Sequence, residues 1–174
     1  MAETLSVVDE NDNLLKGEDR DNIHSSKKWH RGIEIFLFNS KGEILVQRRS
    51  PDKDKQPNKY DCSVSGHVDY GKNYEETALR EMEEELGIKK VEIKPLLHFR
   101  FIAGSHDYHV EKLFTCIYDG EIKPNEEVTE IKFFKMDDLK RMIIEKPDIF
   151  TSWFVEMLKW YFKMDSELQI LEVY

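Results

Sequence analysis

Residues 66–88, GHVDYGKNYEETALREMEEELGI, decide how the rest of the chain is read. Asn73 is a good helix N-cap, because its short side chain accepts from the free N–H groups of a first turn, and Glu76 completes a capping box. A helix is therefore predicted from Tyr74 to a stop at Gly87, about three and a half turns. Leu79, Met82 and Leu86 recur at helical spacing and make an apolar stripe able to dock on a sheet. Glu81, Glu84 and Glu85 stand at i, i+3 and i+4, so like charges converge on one patch and call for a cation. Carboxylates grouped in this way suit a hard divalent ion, and Mg²⁺ in particular binds a few of them while keeping positions for water and phosphate oxygens. A solvated acidic face is the other use of such a helix. Gly66 and Gly71 flank the turn that leads into it, as a loop bringing backbone close to an ion or phosphate would require.

The chain has 174 residues, enough for one well-packed domain, with a net charge of -9 and 35% charged residues. That balance argues against non-specific binding to nucleic acid or anionic membrane, and a phosphate-bearing small molecule would need a local basic patch. There is no apolar run long enough to cross a bilayer, and the opening MAETLSVVDE lacks the regions of a signal peptide, so a cytoplasmic protein is expected. Cys62 and Cys116 have no motif spacing and read as reduced thiols.

In chain order, residues 5–9 and 13–16 flank the polar turn Glu10-Asn11-Asp12 and read as an N-terminal hairpin. Residues 19–28 are polar and irregular and hold His24; Trp29-His30-Arg31 then leads into a strand over 32–38. A turn at 39–42 gives a second strand over 43–49, the pair forming a hairpin near the centre of the sheet. Residues 50–59 are a loop and 60–65 a short extended run. Two long strands, 91–103 and 108–118, are joined at Gly104-Ser105-His106-Asp107, and a shorter strand covers 130–135. Met136-Asp137-Asp138 caps a helix to Glu145, and Thr151 or Ser152 caps a last one over 153–164. Phe154, Met157, Leu158, Tyr161 and Phe162 share one face of it, as core or as a homodimer contact. This order predicts an α/β fold with a mixed sheet and helices on both faces, organised as hairpin and linker over 1–28, core over 29–140 and a helical segment over 141–174.

Gly66, Arg80, Glu81, Met82, Glu84, Glu85, Gly87 and Ile88 fit the pattern Gly, five residues, Glu, seven residues, Arg-Glu-hydrophobic-any-Glu-Glu-any-Gly-hydrophobic, and on them the chain resembles the Nudix family. Lys72 departs from it, standing where the first Glu belongs. In the family that Glu commonly pairs with the Arg of the box, which Lys72 cannot do for Arg80; Asp69, Glu75 and Glu76 are the candidates to replace it. Over most of its length the chain is similar to the branch that includes isopentenyl diphosphate isomerase. The likeness rests on the N-terminal hairpin, His30 before the first core strand, the run LVQRRSPDKDKQP and Gly-His-Val at the box.

The resemblance implies an α/β/α sandwich, a second metal site at His24, His30, His67 and Glu111, and a diphosphate held by Arg49 and Lys53. Of these two, Arg49 is the better contact because its planar fork matches phosphate oxygens. The isomerases use a Cys where this chain has Ser65, and a hydroxyl has far less acid–base reach near neutral pH. They also lose part of the carboxylate run that is complete here. The chain is therefore expected to be a Mg²⁺- or Mn²⁺-dependent hydrolase of a diphosphate linkage in a nucleoside diphosphate derivative. Glu81, Glu84, Glu85 and the Ser65 carbonyl would hold the metal, Glu84 would take the proton of water, and Arg80 would orient the carboxylates. The alternatives are an isomerase acting on an allylic diphosphate and a nucleotide-binding sensor, the latter motivated by Lys72. Phe99, Phe101, Tyr108 and Phe114 are candidates to stack on a base, or are strand packing.

Overall fold

The chain runs β1 (Thr4–Val8), β2 (Leu14–Asp19), α1 (Arg20–Ser25), β3 (His30–Phe38), β4 (Ile44–Arg49), β5 (Tyr60–Asp61), β6 (Val64–His67), α2 (Tyr74–Leu86), β7 (Lys94–Ala103), β8 (Asp107–Ile117), β9 (Val128–Phe134), α3 (Met136–Glu145), α4 (Ser152–Tyr161) and β10 (Gln169–Val173). This is a computed structural model that describes residues 3–105 and 107–174, so His106 of the expected turn lies outside the described residues.

β3 organises the rest. Along a strand successive side chains alternate between faces. Ile33, Ile35 and Leu37 accordingly pack with Ala78, Met82 and Leu86 of α2, while Phe36 packs with Leu139 of α3 and Phe154 and Leu158 of α4. The result is helix, mixed sheet, helix, each side burying its own apolar cluster. One edge of β3 pairs in parallel with β8, from His30↔His109 to Phe38↔Ile117. The other edge is shared end to end by β1 at His30, β6 along residues 32–35 and β4 at Phe38.

That sharing corrects the expected central hairpin. Since β6 occupies the middle of the edge, β4 touches β3 only at Phe38↔Ile44 and turns away to pair with β9 and β5. The stretch around His24, expected to be irregular, holds the one-and-a-half-turn helix α1, started by Asp19, whose carboxylate accepts from Asp21 N–H at 3.0 Å. The segment expected to be helical to the end of the chain closes on β10, which pairs antiparallel with β7. Neither α3 nor α4 has a side-chain cap: Asp137 and Asp138 sit inside the first turn, and Thr151 Oγ1 donates to Asp61 instead.

In α2 the capping box of Asn73 and Glu76 is present and Gly87 closes the helix in the left-handed region at φ 70°. Its docking stripe is Tyr74, Ala78, Met82 and Leu86; Leu79, expected on that stripe, points outward and is 42% exposed. In α4, Phe154, Met157 and Leu158 are core, whereas Tyr161 on the same face is 38% exposed. No helix among the described residues is long and apolar enough to cross a membrane.

Candidate functional site

α2 lies beside β6 so that Glu81, Glu84 and Glu85 line a cleft of about 470 Å³, shared with Ser65, the loop over 50–59 and the start of β8. The close approach depends on Gly66, where a Cβ would run into the Glu81 carboxyl. Gly32 does the same for Glu111, whose Oε1 would lie 2.8 Å from such a Cβ. The three glutamates are not equivalent. Glu85 is buried and accepts from Gln47 Nε2 at 3.0 Å; burial, reinforced by Glu81, pushes its pKa up to about 8. Burial also lifts Glu81 to about 7, against the pull of Arg80 and with the push of Glu84. Glu84 is exposed. Arg80 spans the group, 2.8 Å from Glu81, 2.7 Å from Glu84 and 3.7 Å from Asp69. Among the three candidates to replace the missing Glu, it is Asp69 that reaches Arg80, whereas Glu76 is used in the capping box. Two largely desolvated carboxylates beside a third are oxygen donors of the kind a divalent ion takes, but the three do not gather within 4.8 Å of one another, Glu84 being drawn to Arg80.

A second cluster stands at the other end of the cleft. His24 from α1, His30 from β3 and His67 from β6 bring ring nitrogens within 4.8 Å of one another, and His30 also belongs to an overlapping group with Asp107 and His109. His24 Nε2 and His30 Nε2 are buried without a hydrogen-bond partner. Burial, then the charge on His109, holds His30 well below the ordinary histidine range, and burial, then His30, does the same for His67. Neutral imidazoles with orphaned nitrogens are what a metal ion requires. His109 behaves oppositely. Burial opposes its charge, but Asp107 at 3.0 Å and Glu111 at 2.9 Å outweigh it and raise the imidazole to about 9. Against the cost of its own burial, Asp107 is held well below the usual carboxylate range by His109 and His24.

His109 and Asp107 were not singled out in the sequence. The available signal was alternation: both precede Glu111 on one strand at even spacing, and so share its face. Glu111 itself contacts His109 and lies opposite Gly32 in the sheet, with His109 between it and the Asp107 carboxylate.

Arg49 and Lys53 both line the cleft. The Arg49 fork is largely engaged: it donates to Asp61 Oδ2 at 3.0 Å and to the Lys55 carbonyl at 3.1 and 3.3 Å, and lies over the Trp153 ring at 5.4 Å. Lys53 pairs with Glu127. Asp61, fully buried, also accepts from Thr151 Oγ1 and Trp153 Nε1, each at 2.9 Å. Of the aromatics considered for base stacking, Phe101 reaches the cleft; Phe99 and Phe114 are core, and Tyr108 stands edge-on to Trp29 at 5.0 Å. Trp153 is a second aromatic wall. The Cys62 thiol is fully buried behind Glu34, to which it hydrogen-bonds, and burial followed by the Glu34 charge raises it well above the ordinary range.

Comparison with known proteins matches residues 28–160 to the NUDIX domain. The chain is 30% identical over 172 residues to isopentenyl-diphosphate Delta-isomerase 2 of Photorhabdus laumondii, covering 96% of this chain and 97% of that one. It is 34% identical over 151 residues to a prenyl-diphosphate phosphatase of Methanosarcina mazei, covering 84% and 88%. A crystal structure of a Deinococcus radiodurans protein superposes with a TM-score of 0.77 at 25% identity, over 90% of this chain and 98% of that one.

Proposed function

We propose, starting from the fact that this chain belongs to the Nudix hydrolase family, that it is a divalent-metal-dependent hydrolase acting on the diphosphate linkage of a small organic diphosphate. The observation that carries this reading is the placement of buried Glu85 and half-buried Glu81 beside exposed Glu84 in one cleft with a basic loop. An ion held by Glu81, Glu84, Glu85 and the Ser65 carbonyl would neutralise phosphate charge and make its bound water acidic. Glu84, the solvent-facing member, accepts the proton of the attacking water, and Arg80 fixes the rotamers of Glu81 and Glu84. Lys53 and the N–H groups of Arg49 that remain after its protein contacts meet phosphate oxygens. His24, His30 and His67 would hold a second ion, the orphaned Nε2 atoms of His24 and His30 and the gathering of all three rings being the support for that assignment.

For the organic group, Phe101 and Trp153 are the apolar part of an otherwise charged cleft. That favours a compact hydrocarbon such as a prenyl chain, the substrate class in the name of the Methanosarcina mazei relative. A nucleoside diphosphate derivative is the second reading, supported by the planar indole of Trp153 as a stacking surface. Isomerase chemistry is disfavoured because position 65 offers a hydroxyl and the nearest thiol, Cys62, is walled off by Glu34.

The test is a panel of isopentenyl, dimethylallyl and geranyl diphosphates against nucleotide-sugars and dinucleotides, with Mg²⁺ and Mn²⁺, reading phosphate release and, by NMR, isomer formation. Metal-dependent release from the prenyl compounds with no isomer is expected, and Ser65→Ala should retain it, since position 65 contributes its carbonyl. Isomer formation that Ser65→Ala abolishes would overturn the hydrolase reading.

A further inference from the structure

The loop over 50–59 sends three consecutive charged side chains across the cleft. Lys53 meets Glu127, Asp54 meets Arg20 at 3.0 Å, and Lys55 reaches the histidine cluster, its Nζ 2.5 Å from Asp107 Oδ2 and 3.0 Å from His24 Nδ1. Asp107 also contacts His24 at 2.7 Å and stands 4.0 Å from His30 Nε2. The Lys55 ammonium therefore sits against the Asp107 carboxylate and the Nδ1 side of His24, at the border of the group in which the three histidines gather their ring nitrogens. The backbone at this point does not depend on that contact: the Lys55 carbonyl accepts from Arg49, and Gln56 exchanges two hydrogen bonds with Ser152, each of 3.0 Å.

We infer that Lys55 is a tethered cation that competes with a divalent ion for the cluster of His24, His30 and His67, which Asp107 borders. Two positive centres a few ångströms apart in a partly buried site repel strongly, so ion entry and a seated Lys55 exclude each other. With the backbone anchored, only the flexible side chain moves. It swings from Asp107 into the cleft, beside Lys53 and Arg49, where phosphate oxygens would lie. Lys55 thus sets the metal affinity of the histidine site and becomes an anion contact once displaced.

The inference rests on the reading of the histidines as a metal site and not on hydrolysis, so it is tested by Co²⁺ binding, followed by titration calorimetry and by the visible absorption of nitrogen-ligated Co²⁺. Lys55→Gln should tighten binding at the histidines by about tenfold, a size typical of coupled sites. Lys55→Arg, which keeps the charge, should match the unaltered protein. Lys59→Gln, with the same loss of charge elsewhere on the loop, should leave the affinity unchanged, as should Lys55→Gln in a His67→Gln background, where the nitrogen-ligated signal is lost. Unchanged or weaker Co²⁺ affinity in Lys55→Gln, equal tightening by Lys59→Gln, or the absence of nitrogen-ligated Co²⁺ in every form would overturn the proposal. In the last case the hydrolysis panel could still succeed.

Discussion

Asp69 Oδ2 stands 3.7 Å from the Arg80 guanidinium, on the side of that residue away from Glu84. A carboxylate six positions after Gly66 is absent because Lys72 is there, and a residue earlier in the same turn supplies the charge instead. Both partners are more than a third exposed, so the pair is worth little in stability; its value is in holding Arg80 against Glu81. Asp69→Asn should therefore lower turnover about two- to fivefold with little change in melting temperature. Lys72→Glu in that background should restore the rate. Failure of Lys72→Glu to rescue, with both variants folded, would mean that Asp69 does not act through Arg80.

Glu85 carries the sharper prediction. Glu85→Gln keeps the shape and the hydrogen bond to the Gln47 side chain can be rearranged, while one anionic metal ligand is removed. Turnover at saturating Mg²⁺ should fall by at least about a hundredfold with the fold intact by circular dichroism. Near-normal turnover would sink the assignment of this residue to the ion.

The same carboxylates make a statement about stability in the absence of metal. Glu81 and Glu85 have folded pKa values raised to about 7 and about 8, above their unfolded values, so the folded state binds more protons between these limits. Stability is greatest below about pH 4.5 on this account and is lost as pH rises through 7 and 8, by roughly a few kcal/mol in all. Denaturant unfolding in EDTA should show that loss. Glu85→Gln should flatten it, and the difference between the two proteins cancels the opposing contributions of His30 and His67. Mg²⁺ should abolish the slope by stabilising the ionised form. A wild-type curve in EDTA that differs from the Glu85→Gln curve by a constant amount would contradict the picture.

Asp61 links two walls of the cleft to the C-terminal helix, because its carboxylate takes hydrogen bonds from Arg49, Thr151 and Trp153. Removing its charge strands the largely buried Arg49, and breaking a buried pair costs about 3–5 kcal/mol. Asp61→Asn should show that loss in denaturant unfolding. Trp153→Phe keeps an aromatic side chain but shortens the wall and removes the N–H to Asp61, and should mainly raise KM while sparing kcat. An unchanged KM would show that the indole does not form the wall against which substrate packs.

The parts of the molecule readable in the sequence are those governed by local rules. The span of α2, its capping box and its glycine stop depend on residues within one turn of each other, and the carboxylate face follows from helical spacing. Leu79 misled because two residues at helical spacing were extended to a third, although Tyr74 and Ala78 define the buried side. The histidine end of the cleft was only half legible. His30 meets His109 through a parallel pairing across more than seventy residues of chain, and no local pattern reports such a register. α1, which carries His24, is a six-residue helix too short for periodicity to reveal. Lys55 lies in the stretch 50–59, legible only as a loop, and nothing local shows that the fold brings Asp107 against it.

Gly32 and Gly66 have no side chain and perform no chemistry, yet each leaves room for a carboxylate that belongs to a different strand or helix. In a library of random single substitutions they should be as intolerant as Glu85, and for a reason that no inventory of functional groups would reveal. A change that relieved the crowding would have to move the carboxylate itself, because the atoms a Cβ would meet belong to the side chains of Glu111 and Glu81. The cleft is in this sense shaped by what two positions omit: the missing side chains at 32 and 66 are what let Glu111 and Glu81 stand where they do.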